Sequence, residues 1–161
     1  MANAKLRTII AAIKTRLAVP NGAGIYRVNT TAAGQVKTQL RPLEAVPAGA
    51  TFPYWEVVPL FRFTSEFGPT NNVFLRHGIV GIIGYVSTTT ATAEARCDAA
   101  LDMLEDGMNA LELDLTLGGL VRNAISLDGE VNGLEFDGSL QVGSCSWEYH
   151  FDYTAQIGAG T

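Results

Sequence analysis

The only two histidines of this chain are His77 and His150, and His150 falls between Glu148 and Asp152 at alternate positions. On a strand that spacing puts all three on one face. Histidine beside carboxylate could serve a hydrolase, but a nucleophile must then stand within reach, and no GxSxG or comparable element accompanies it. Cys145 and His150 are an odd number of residues apart, so along one strand they point to opposite faces and cannot pair. Cys97 and Cys145 are the only cysteines, with no CxxC spacing; they read as two reduced, buried thiols. Glu94, Asp98 and Asp102, with Glu105, line one side of a helix and could be taken for a metal site. Arg96 breaks that field and no histidine joins it, so a solvated helix face is the better account. Asp128, Glu130, Glu135 and Asp137 lie close in sequence without the spacing of a calcium loop, and read as turn residues. Gly22-Ala23-Gly24 follows a helix, whereas a phosphate-cradling loop opens one. These residues therefore predict no catalytic, cofactor or metal site, and a protein that is not an enzyme.

The composition fits that reading. Across 161 residues, 47% are hydrophobic and only 17% charged, against a typical quarter for charged residues. Such a chain can bury a core as one domain over residues 1–161, and it leaves much of its surface uncharged, as an assembly subunit would, although many enzymes share that feature. The formal net charge of −5 argues against a phosphate-binding surface but suits an acidic lining that DNA slides past. Lys14 and Arg16 interrupt the N-terminal apolar positions, so no signal segment is read, and no stretch reaches the ~20 apolar residues of a membrane span. The expectation is a protein made and folded in a cytosol.

The elements that must position these residues follow from periodicity. Leu6, Ile10, Ile13 and Leu17, with Ile9, make one stripe of a helix over 3–19, with Asn3 as N-cap and Pro20-Asn21-Gly22 as the stop. A short strand is expected at Gly24–Val28 and another at Gln35–Leu40. Residues 29–52, rich in Thr, Ala, Gly and Pro, are too long for an ordinary connection and read as an arm or a hairpin. Phe52 to Pro59 is a strand with a proline near each end, which places both prolines at strand ends or on an edge. In residues 60–74, Phe61, Phe63, Phe67 and Phe74 stand among Gly, Pro and Asn, an irregular segment that needs a local cluster or a partner to bury it.

Leu75–Ser87 carries apolar residues on both faces, as a central strand does, with Gly81 and Gly84 one on each face. A second helix over about 92–112 follows a Thr-rich capping loop, with Cys97, Leu101, Leu104, Met108 and Leu111 as its apolar stripe. Leu120–Leu127 is a strand with Val121, Ile125 and Leu127 on one face, and the Asp-Gly and Asn-Gly pairs of 128–139 make a turn-rich excursion. Residues 140–157 alternate almost without error: Cys145, Trp147, Tyr149, Phe151, Tyr153, Ala155 and Ile157 on one face, polar residues on the other. At roughly 3.3 Å per residue this strand could span on the order of 60 Å, twice the ~30 Å breadth of a domain this size. It must bend, break at Gly143, or run past its own domain. Helix, strands, helix, strands predicts an α+β fold, a mostly antiparallel sheet with both helices on one face and long loop arms.

Three stretches, taken in order, resemble the tail-terminator (tail-completion) proteins of long-tailed bacteriophages, of the minor-tail-protein-U kind. They are Phe52-Pro53-Tyr54-Trp55-Glu56-Val57-Val58 after a long loop; Gly81-Ile82-Ile83-Gly84-Tyr85-Val86, then a Thr-rich turn, an Ala/Asp/Leu helix and Leu117-Gly118-Gly119; and the aromatic alternating strand near the C-terminus. With the N-terminal helix they cover most of the chain. The 60–74 and 128–139 segments have no counterpart in the pattern. The resemblance implies a structural virion protein at the head-proximal end of the tail, assembled in the host cytoplasm. It would form a homo-oligomeric, hexameric ring on the tail tube protein, stop tube polymerisation, and join a head–tail connector or head-completion protein. Viral double-stranded DNA would pass through the lumen unbound, with no membrane and no cofactor involved. Phe61, Phe63, Phe67, Phe74, Tyr54 and Trp55 are then the expected interface residues. Another head–tail joining or tail-tube subunit, or a small α+β ligand-binding domain, are the competing readings.

Overall fold

The computed structural model of the chain describes residues 5–38, 51–67, 73–87, 92–136 and 140–156. The proposed N-cap Asn3, residues 39–50 of the 29–52 arm, residues 88–91 of the Thr-rich turn before the second helix, the Asp137-Gly138 pair and Ile157 lie outside the described residues. Two helices, α1 (Lys5–Leu17) and α2 (Ala93–Glu112), accompany five strands: β1 (Val36–Thr38), β2 (Tyr54–Phe67), β3 (Val73–Ser87), β4 (Asn123–Phe136) and β5 (Leu140–Gln156). The strands form one sheet in the order β1-β2-β3-β5-β4. Only the short β1–β2 pair is parallel, so the fold is α+β with a mostly antiparallel sheet.

β5 holds the sheet together. It does not break at Gly143, which pairs with Val86 on one side and Gly133 on the other. Its alternation resolves into a core face on which Cys145, Trp147, Tyr149, Phe151 and Tyr153 are all buried. β3 is central, as its two apolar faces require. Val80 and Ile82 enter the core under the helices, while Ile83 and Tyr85 join Tyr54, Val58 and Val142 in a second cluster. Both helices cover the first face. Ile9, Ile13 and Leu17 of α1 are fully buried there, at the four-residue spacing of one helical stripe. Thr92 caps α2, its Oγ1 accepting from the N–H of Ala95.

The phase of α2 differs from the sequence reading. Its buried face is Ala100, Met103, Asp106, Gly107, Ala110 and Leu111, while Cys97 is exposed and Leu101 is 47% exposed. Small residues face the sheet because the helix must pass close over two indoles. Trp55 and Trp147 pack edge to face, centroids 5.5 Å apart at 86°, a pair worth about 0.5–1.5 kcal/mol beyond its burial.

Three further expectations are corrected. Gly24–Val28 is not a strand: the backbone N–H groups of Arg27 and Val28 donate to Asp106 Oδ2 at 2.6 and 2.7 Å instead of to a ladder. Residues 60–74 are not irregular throughout, because β2 runs on to Phe67 past a bulge between Leu60 and Phe63, and β3 resumes at Val73. Residues 128–136 are not a turn excursion. β4 continues through them with a bulge between Leu127 and Glu130, where Asp128 takes a left-handed φ of 55°. Ile125 and Leu127 consequently lie in register with His150 and Glu148 on the face away from the helices, and are 51% and 38% exposed. Val121, placed with them from sequence, is buried in the core.

Candidate functional site

The sheet face without helices divides into two parts. At the β2 end, Tyr54 stacks on Tyr85 with centroids 4.9 Å apart, and the buried Glu56 accepts a long hydrogen bond from the Tyr85 hydroxyl, 3.4 Å. Burial, with Glu56 and Tyr85 beside it, pushes the Tyr54 phenol above its ordinary range. Along β3 and β5 the face is polar. His77 stands opposite Asp152 in register, and His150 sits one diagonal step away. His77 Nδ1 lies 2.8 Å from Asp152 Oδ1, His77 Nε2 lies 3.1 Å from His150 Nδ1, and His150 Nε2 lies 2.9 Å from Glu148 Oε2. A hollow of about 270 Å³ lined by Glu66, Leu75, His77 and Asp152 opens at one end of this chain of contacts. The sequence placed His150 with Glu148 and Asp152. That His77 joins them depends on the β3–β5 register, which no local pattern states.

The expected interface residues occupy different environments. Trp55 is fully buried in the core and Tyr54 is 1% exposed in the second cluster, so within a single chain neither offers surface. Phe74 is half-buried on β3, where it pairs in register with Phe67 near the end of the β2–β3 hairpin. Phe61, Phe63 and Phe67 belong to β2; their side chains lie outside the described residues. The edges of the sheet are informative. β1 covers β2 only from Trp55 to Val57, so among the described residues β2 has no outer neighbour from Val58 to Phe67. That is why Pro59, which cannot donate to a ladder, is accommodated inside the strand. Among the described residues β4 is the opposite edge.

A second polar cluster lies where the helix C-termini meet. Arg16, in the last turn of α1, pairs with Asp114 just past α2 at 2.9 Å. The Asp114 carboxyl is held down to about 2 by the Thr116 hydroxyl first, then by the N–H groups of Gly118 and Thr116. Within α2, Asp106 is fully buried and its carboxyl is pushed up by desolvation, against the pull of its two backbone donors and Arg27. Arg27 also meets Asp102 and Glu105 from the acidic stripe, while Glu94 and Asp98 are exposed, as a solvated helix face should be. A hollow of about 600 Å³ bounded by Ile25, Arg27, Glu105, Asn109 and Leu113 opens here.

Among the described residues no group of three or more His, Cys, Asp or Glu side chains is gathered to hold a metal ion, and no helix is long and apolar enough to cross a membrane. The two cysteines part company: Cys145 is buried, whereas Cys97, expected to be buried, is exposed on α2. No protein-family model matches the chain, and no curated protein is significantly similar to it.

Proposed function

We propose that this chain is a structural virion protein of the tail-terminator kind, whose copies close into a six-fold ring on the tail tube, stop its growth and meet the head-side connector. The order of the three sequence stretches suggested the role; the observation that supports it in the fold is the pair of open edges. β4 and the distal half of β2 lie on opposite sides of one sheet. Unpaired strand edges are templates for another chain, and contact between two different edges of identical subunits is heterologous, closing into a ring when the rotation allows. Each open edge carries a bulge. Bulges twist and bend a strand, which disfavours a flat, indefinitely growing sheet and suits a contact with a fixed angle. The aromatic positions 61, 63, 67 and 74 of the β2–β3 hairpin would meet the neighbour or the tube, and the net charge of −5 suits a lumen through which DNA passes without binding.

The test is native mass across concentration, with negative-stain images of the same sample. Closed six-membered rings are expected, alone or on added tail tubes. Long tubes would make the chain a tube subunit. A monomer at every concentration, with no binding to tail tubes, would overturn the reading.

A further inference from the structure

The two histidines of the open face present an arrangement that neither assembly nor core packing requires. Each ring has one nitrogen against a carboxylate, His77 Nδ1 at 2.8 Å from Asp152 and His150 Nε2 at 2.9 Å from Glu148. An ionised carboxylate only accepts, so the single N–H of each neutral imidazole is committed to it. With both rings neutral, the remaining nitrogens, His77 Nε2 and His150 Nδ1, face each other at 3.1 Å with no proton between them; an added proton or a metal ion would bridge them.

We propose that His77 and His150 bind one divalent transition-metal ion of the imidazole-favouring class, such as zinc, nickel or copper. Three features carry the assignment. A tetrahedral ion with metal–nitrogen bonds of about 2.0–2.1 Å holds two ligand nitrogens about 3.3 Å apart with their lone pairs converging on it, so the nitrogens at 3.1 Å must open by a few tenths of an ångström and both rings must tilt off the line that joins them. A carboxylate on the far nitrogen of each ring is the usual outer-shell partner of a metal-ligating histidine, fixing its tautomer and raising its basicity. The surroundings attract cations: Glu148, Asp152 and Glu66 border the pair, and Asp128 and Glu130 share a second hollow with Glu148 on the same face. The His77 and His150 side chains are 38% and 17% exposed, open enough for an ion to enter. No third side chain completes the set among the described residues, so water fills the remaining positions and the site is of modest affinity. This inference is independent of the ring.

The experiment uses tag-free full-length protein, stripped with chelator, titrated with zinc chloride at fixed pH while side-chain nitrogen resonances of the histidines are followed. Expected are saturable shifts at His77 Nε2 and His150 Nδ1, at one equivalent per chain. His77→Gln and His150→Gln should each weaken calorimetric zinc binding at least about tenfold, and Asp152→Asn or Glu148→Gln by about tenfold. Zinc shifts confined to other groups, equal binding by the histidine variants, or no shift up to about a thousandfold excess over protein would overturn the site and leave a shared proton as the bridging cation. The resonance measurement reads the unmodified protein, so it decides the matter even if a variant fails to fold.

Discussion

Gly107 lies so close to Trp147 that a methyl group on it would stand 2.5 Å from the indole Cη2, with Trp55 Cη2 at 2.6 Å. Alanine is intrinsically better than glycine inside a helix by about 1 kcal/mol, but overpacking costs about 1–3 kcal/mol. Both rings are fully packed and wedged edge to face, so neither can step back alone. Gly107→Ala should therefore lower stability by about 1–2 kcal/mol in urea unfolding. A raised melting temperature would mean that α2 lifts freely from the sheet.

Asp106 fastens the 21–30 loop to α2 through two backbone N–H groups. Asp106→Ala leaves both donors without an acceptor and should cost about 2–4 kcal/mol. Burial raises its folded-state carboxyl above the unfolded value, so the folded state binds the proton more tightly. Stability from this group is present in acid and lost as pH rises from the ordinary carboxylate range through the raised value. Asp106→Asn cannot ionise, so its stability relative to the parent should improve as pH rises above the ordinary carboxylate range. A constant difference across that pH rise in urea titrations would count against a buried ionising carboxyl.

Asp114 behaves in the opposite sense. Its folded value of about 2 lies below the unfolded one, so its contribution is fully present above the ordinary carboxylate range and is lost as pH falls toward 2. The Thr116 hydroxyl, 2.6 Å away, is the largest cause. Thr116→Val should raise the Asp114 titration midpoint, read from the side-chain carboxyl carbon resonance. An unmoved midpoint would transfer the effect to the Gly118 and Thr116 amides.

The thiols should separate cleanly. Burial pushes the Cys145 thiol up to about 12, while Cys97 is exposed. Reaction with an aromatic disulfide reagent should modify one thiol in the native protein and the second only after denaturation. Cys97→Ser should abolish the native reaction; rapid modification of Cys145 in that variant would reveal easy opening of α2 from the sheet.

Ile125 and Leu127 stand half-exposed on the open face of the β4 edge. Replacing both with Lys should change the stability of the isolated chain by no more than about 0.5 kcal/mol each, yet weaken any assembly that uses this edge. Sedimentation velocity reads the second effect. An unchanged oligomer would move the contact away from β4.

Legibility in the sequence followed how strongly each residue signals its burial. The alternation from Cys145 to Tyr153 and the stripe Ile9, Ile13, Leu17 were readable because large apolar side chains mark their own face. The inner face of α2 was misread by part of a turn because Ala100, Gly107 and Ala110 carry little hydrophobic signal and were chosen for closeness to the tryptophans. β4 was misread because Asp128-Gly129 has the chemistry of a turn and serves a bulge. The histidine contacts were half visible. His150 between Glu148 and Asp152 is local, but His77 arrives through pairing between strands more than seventy residues apart.

The pairing of β3 with β5 runs from Val73↔Gln156 to Ser87↔Val142 without a break, whereas β2 and β4 each carry a bulge. Inserting or deleting one residue in the middle of β5 would turn the segment beyond it over, carrying aromatic side chains into solvent and Glu148, His150 or Asp152 under the helices. The bulged strands already absorb an odd residue. Length variation in this lineage should therefore collect in β2, β4 and the connections, while the spacing from Val142 to Tyr153 stays fixed even where the residue types drift.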